Sequence, residues 1–185
     1  MFFIYLRDMV QLVMSPVHGW EDISYDNPDL RRLMTKGWLV WLLVASCTVV
    51  LRPAYMGNFE WFDAMVRFLA TFIKFFVTFY IGGFMFSAFM GVITQGAGVE
   101  RLNNTLIVFS VGLLIMIDVI KNCLPVDISM INFFPLYVLY IMWRGERFVK
   151  VAAGRQLQYV ALSFVSVILP PYLIQMMLNL LLPAY

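Results

Sequence analysis

Three ionisable residues stand in one long apolar stretch of this sequence: Asp63, Arg67 and Lys74. They are spaced by four and by seven, so on a helix they share one face, and Asp63 and Arg67 can pair across a turn. Hydrocarbon solvates charge poorly, so an ionisable residue within a membrane segment is a candidate for function. Two readings are open. In one, Arg67 stands in the outer interface and Lys74 snorkels along its aliphatic stem to water. In the other, Arg67 and Lys74 line a polar cavity and face Asp118 or Asp127, which follow the next apolar stretch. A helix entering near Phe62 carries Lys74 about 18 Å along its axis, at or just inside the hydrocarbon boundary.

Other chemistry has little material. His18 is the only histidine, which leaves imidazole metal sites and histidine-dependent triads without ligands or bases. Cys47 and Cys123 lie in or beside apolar stretches and are expected as buried thiols rather than a disulfide. The Gly96-Ala97-Gly98 turn lacks the lysine and the further glycines of a phosphate loop. No enzyme activity, cofactor or metal is expected. Gly83, Ser87 and Gly91 lie four apart, a spacing that lets another helix approach closely, in this chain or in a partner. Arg144, Arg147, Lys150 and Arg155 form a basic segment that suits anionic lipid headgroups.

The elements that must position these residues follow from composition. Hydrophobic residues make up 62% of the 185 and charged residues 13%. A soluble domain carries roughly 45–50% apolar and about 25% charged residues. A globule this small has too little interior for that excess, so the bilayer is the expected solvent. The net charge of +2 is too weak to imply nucleic acid. Backbone groups inside lipid must be satisfied locally, so long apolar runs predict helices. Five spans are expected, at about 33–51, 61–93, 102–120, 128–143 and 156–182. The third and fourth have short apolar cores, and a re-entrant pair is the alternative to two crossings. Pro135 and Pro170-Pro171 predict kinks.

The loops set an orientation. Arg7, Arg31, Arg32, Lys36, Arg101, Arg144, Arg147, Lys150 and Arg155 fall on one side, and only Arg52 and Lys121 on the other. The positive-inside bias places the N-terminus in the cytoplasm and the C-terminus outside. Residues 1–32 predict a cytoplasmic arm of short interfacial helices before the transmembrane domain at 33–185. Ser15-Pro16 and Asn27-Pro28 mark helix starts, and Trp20 and Tyr25 suit the headgroup region.

The opening apolar helix followed by SPVHGWEDI resembles the start of bacterial YIP-family membrane proteins, the Ypt/Rab-interacting protein superfamily. IMWRGER (141–147), then AAGR (152–155) before the last apolar stretch, is similar to that family's approach to its final span. TQGAGVERLNNTLIVFS (94–110) resembles its glycine-containing loop. The resemblance implies a five-helix domain in the bacterial inner membrane with a cytoplasmic N-terminus. The eukaryotic branch, associated with Rab GTPases, carries a longer hydrophilic N-terminal region, so no Rab role is implied. The whole reading is an all-α polytopic membrane bundle acting as a non-enzymatic interaction or scaffold component. Its expected partners are membrane lipids and another membrane protein or a second copy. The alternative is a small transporter or channel subunit using Arg67 and Lys74.

Overall fold

The structure, a computed structural model, describes residues 1–56, 60–94, 99–124 and 129–181. Among these residues every extended regular element is a helix. In chain order they are α1 (Phe2–Met14), α2 (Pro16–Asp26), α3 (Leu30–Tyr55), α4 (Trp61–Ile93), α5 (Val99–Cys123), α6 (Phe134–Arg144) and α7 (Gln156–Leu181). Pro16 opens α2, where its missing N–H is harmless. Asn27 closes α2 in the left-handed region, with φ +41°. Asp29 caps α3 by accepting from the Arg31 N–H at 3.3 Å.

Four helices are long and apolar enough to cross a membrane: α3, α4, α5 and α7. The third expected span is therefore longer than its apolar core suggested. Its 25 residues rise about 37 Å. The fourth expected span, 128–143, is not among those four. It consists of a 3₁₀ segment, Ser129–Phe133, and the 11-residue α6, with Pro135 in the first turn. Together these rise about 26 Å, short of a hydrocarbon core of about 30 Å. The segment nevertheless runs between the two ends of the bundle. Lys121 donates to Asn132 Oδ1 at 2.8 Å at one end, and Trp20 Nε1 donates to the Ile141 carbonyl at 2.9 Å near the other.

The central helix is α5. It buries 61% of its most apolar window, against 28–39% for the other three long helices. Leu106, Ile107, Val108, Phe109 and Ile115 are fully enclosed. The expected arm adds to this same core through Tyr5, Met9 and Leu12 of α1 and Trp20 and Ile23 of α2. Tyr5 explains how. Its hydroxyl donates to the Val108 carbonyl at 2.9 Å. Its ring lies against Gly37 of α3 and its hydroxyl against Gly112 of α5, where a Cβ would collide with it. Burial pushes the Tyr5 phenol well above its ordinary range, so it stays a neutral donor. Gly37 lies in a π-turn, Met34–Trp38, that widens α3 at this crossing. Cys47 and Cys123 are free thiols rather than a disulfide, and their side chains are exposed at the bundle surface.

The basic segments meet at one end. Ala152 N–H donates to the Ile93 carbonyl at 2.9 Å. Arg101 donates to the Asn27 and Pro28 carbonyls at 3.0 and 2.8 Å. The loop from Gly145 to Arg155 therefore shares an end with the α2–α3 turn and the start of α5.

Two measurements test the seating of the arm. Gly112→Ala should lower stability by about 1–3 kcal/mol through overpacking. Adding Tyr5→Phe should recover part of that loss by removing the colliding hydroxyl, and additive losses would show that α1 does not sit there. The second concerns Asp8, which pairs with Arg7 at 2.9 Å while its side chain is 13% exposed. Burial raises its carboxyl, with Arg7 opposing. A carboxyl raised on folding binds more protons in the folded state, so its contribution falls as pH rises through the folded value. Asp8→Asn should therefore melt at or above the wild type at pH 7, with the gap closing in acid. A variant that melts lower at pH 7 contradicts this.

Candidate functional site

One stripe of α4 faces inward at every fourth residue: Ala70, Lys74, Thr78, Gly82 and Phe86 are all buried. Lys74 lies on that stripe and cannot turn to lipid without rotating the whole helix. Its ammonium meets Asp118 of α5, with Nζ to Oδ2 at 2.7 Å. The same Nζ lies 4.6 Å from the Phe75 ring centroid. The snorkelling reading is thereby corrected: Lys74 reaches a carboxylate across the helix interface. The two residues meet because they lie at one depth. Each is 19 residues from the basic end of its helix, about 28 Å along the axis.

The pair lines a cavity of about 250 Å³ between α4, α5, α6 and α7. Phe75, Leu114, Ile117, Pro135 and Pro171 supply most of its apolar wall. Lys121, Tyr172 and Gln175 supply further polar groups. Ligand pockets run about 300–1,000 Å³, so this space suits a few waters or a small polar solute. Side-chain exposure is 9% for Lys74 and 25% for Asp118, so the carboxylate keeps some solvent contact.

The other expected site residues are distributed as follows. Asp63 and Arg67 are half-buried, nearer the Trp61 end of α4, and Arg67 is not among the residues lining this cavity. Asp127 and the Gly96–Gly98 turn lie outside the described residues. Gly83, Ser87 and Gly91 do not face another helix among the described residues. Ser87 and Gly91 are exposed, and a Cβ at Gly83 or Gly91 would meet no atom within 4 Å. The close approach uses Gly82, one residue earlier and about 100° around the helix. A Cβ there would lie 3.4 Å from the Ser166 carbonyl oxygen and 3.3 Å from Ile107 Cγ2. Pro170 has no N–H to donate back to that carbonyl. A π-turn, Phe164–Ile168, precedes the prolines and carries α7 past α4.

The basic segment divides. Arg155 donates to the Val92 carbonyl and ties the loop to α4. Lys150 is exposed in the left-handed region, with φ +55°. Arg144 and Arg147 share a separate groove with Trp20. Sequence reasoning missed Gly82, Gly112, Tyr172 and Gln175. The first was masked by the neighbouring small-residue stripe. The others carry no signal until the helices are packed.

Comparison with family models, with characterised proteins and with solved structures finds no match.

The pair can be tested by a thermodynamic cycle. Lys74→Met and Asp118→Asn should each destabilise the protein, the first by about 2 kcal/mol. That is less than the roughly 3–5 kcal/mol for a fully buried pair, because Asp118 keeps solvent contact. The double variant should recover much of the loss. Single variants that melt like the wild type would show that the two charges do not meet in the membrane.

Proposed function

We propose that this chain is a non-enzymatic interaction component of the bacterial inner membrane, of the YIP type, that docks a further transmembrane helix on α4. The observation carrying this reading is the outward stripe of Gly83, Ser87 and Gly91, whose two glycines no described residue covers. In lipid, helices associate through close packing, and small residues in a row let backbones approach. Large side chains flank the stripe: Phe84, Phe89 and Val92 are 73%, 51% and 67% exposed. They leave a shallow track suited to a single helix. The sequence resemblance at SPVHGWEDI and at 141–155 supports the family assignment. The gathering of basic segments at one end supports an orientation with that end in the cytoplasm.

A second reading, a small polar-solute site or transport subunit, draws on the Lys74–Asp118 cavity. The interaction reading is favoured. The cavity is small, and Asp118 already neutralises Lys74.

Gly83→Leu and Gly91→Leu separate the stripe from the fold. Each should keep the wild-type melting temperature in detergent, because the added side chain enters open space. Each should weaken association about tenfold, or about 1.4 kcal/mol. The readout is disulfide crosslinking through Ser87→Cys in native membranes, with the crosslinked species identified as a second copy or another protein. Undiminished crosslinking in both leucine variants would overturn the reading.

A further inference from the structure

A second concavity, of about 650 Å³, lies at the basic end of the bundle between α2 and the start of the 144–155 loop. Its walls include Val17, Trp20, Ser24, Arg144, Arg147 and Phe148. The aromatic floor is fixed. Trp20 stacks on Phe148, with ring centroids 5.1 Å apart, and its indole N–H is held by the Ile141 carbonyl at 2.9 Å. Gly145 permits this seating, since a Cβ there would come within 3.0 Å of Trp20 Nε1.

The two arginines differ from most other cations at this end. Arg7 pairs with Asp8, Arg32 pairs with Asp29, Arg101 holds the Asn27 and Pro28 carbonyls, and Arg155 holds the Val92 carbonyl. Neither Arg144 nor Arg147 has a carboxylate partner among the described residues. Glu21 also lines the groove, its exposed carboxylate 3.2 Å from His18 Nδ1, so the groove sets two arginines against one carboxylate. Two guanidinium groups beside a rigid aromatic wall, with Ser24 able to donate a further hydrogen bond, supply the charge and the donors that a phosphate takes up.

Arg144 also connects this groove to the bundle flank. Its guanidinium lies 6.0 Å over the Tyr140 ring. Tyr140 stands between Tyr137 and Trp143, with centroids at 5.8 and 6.1 Å, and all three side chains are at least 40% exposed. That row of aromatics runs along the exposed face of α6 away from the groove, and its far end is tied to α1 where the Tyr137 hydroxyl donates to the Val13 carbonyl at 2.7 Å. A ligand with a phosphate at one end and a hydrocarbon chain at the other would contact both surfaces at once.

We propose that the Arg144–Arg147 groove is a binding site for an anionic phospholipid, with its phosphate between the two guanidinium groups and an acyl chain along Tyr137, Tyr140 and Trp143. The site is independent of the α4 stripe and stands or falls separately from the interaction reading.

The test uses the full chain in nanodiscs of phosphatidylcholine with a titrated fraction of phosphatidylglycerol, read by native mass spectrometry of retained lipid and by melting temperature. Wild type should retain phosphatidylglycerol selectively and melt higher as its fraction rises. Arg144→Gln with Arg147→Gln should bind it about thirtyfold more weakly. A charge-matched control, Arg31→Gln with Arg32→Gln, should retain it. Ser24→Trp, which fills the groove without changing charge, should lose it. Equal losses in the groove and control pairs would reduce the effect to general surface charge and overturn the site. So would unaltered retention in both the arginine pair and Ser24→Trp. Stabilisation by inorganic phosphate that depends on Arg144 and Arg147, without lipid selectivity, would overturn the lipid assignment in favour of a soluble phosphate ligand.

Discussion

A helix carbonyl has two lone pairs and uses one within the helix. The second is the acceptor on which this bundle depends. Tyr5 donates to Val108, Trp41 to Gly112, Trp20 to Ile141 and Tyr159 to Met142, at 2.8–3.1 Å and all in buried settings. Apolar burial does little to drive one helix against another in lipid, because the chains of the bilayer are as apolar as leucine. A buried phenol or indole without an acceptor is costly, however. Each of these four aromatic donors therefore selects one carbonyl on one neighbouring helix, whereas the buried Trp38 Nε1 has no partner among the described residues. Two of these carbonyls lie on α5, one turn apart, which draws α1 and α3 to the same place on the central helix.

The same constraint decides where the glycines must be. Gly37 and Gly112 lie beside Tyr5, Gly82 lies beneath the Ser166 carbonyl, and Gly145 lies beneath the Trp20 indole. None of these is a flexible joint. Each removes a Cβ where an aromatic ring or a second backbone approaches. At Gly83 and Gly91 the space where a Cβ would stand is open. The difference between Gly82 and Gly83 is one residue and a change of helix face. Small-residue spacing alone cannot say which face has a neighbour.

The sequence carried the helical class and the long apolar elements because hydrocarbon permits few alternatives to helix. It carried the shortness of the segment at 128–143 but not its local form. There Pro135 opens the α-helix and the residues before it form a 3₁₀ turn, so only 11 residues of the run are α-helical. It did not carry the depth of α1 either. Arg7 and Asp8 make that helix look interfacial, yet Tyr5, Met9 and Leu12 fall on its other face and enter the core. Asp118 was legible, beside Asp127, only as a carboxylate following the next apolar stretch, and the depth it shares with Lys74 emerges once α4 and α5 are packed. Arg67 shares the charged face of α4 with Lys74 but stands about two turns nearer the other end, so it does not join the cavity wall.

The Lys74–Asp118 pair does a task that apolar packing performs poorly. Leucine-like surfaces slide past one another with little change in contact, so two long helices have several near-equal registers a turn apart. An ion pair does not tolerate that slide. Moving α4 by one turn, about 5.4 Å, would carry Nζ out of reach of Oδ2 and leave both charges in a medium of low dielectric. The wrong registers are therefore raised in energy even where desolvation offsets much of the attraction within the correct one. Thr78 strengthens the argument, because its hydroxyl donates to the Lys74 carbonyl at 2.7 Å and so presents no polar group of its own to the interface. The pair is then the only charge contact between α4 and α5 that the described residues show at this depth. It fixes the axial position of the helix whose outer face carries the exposed stripe and whose inner face meets Ser166.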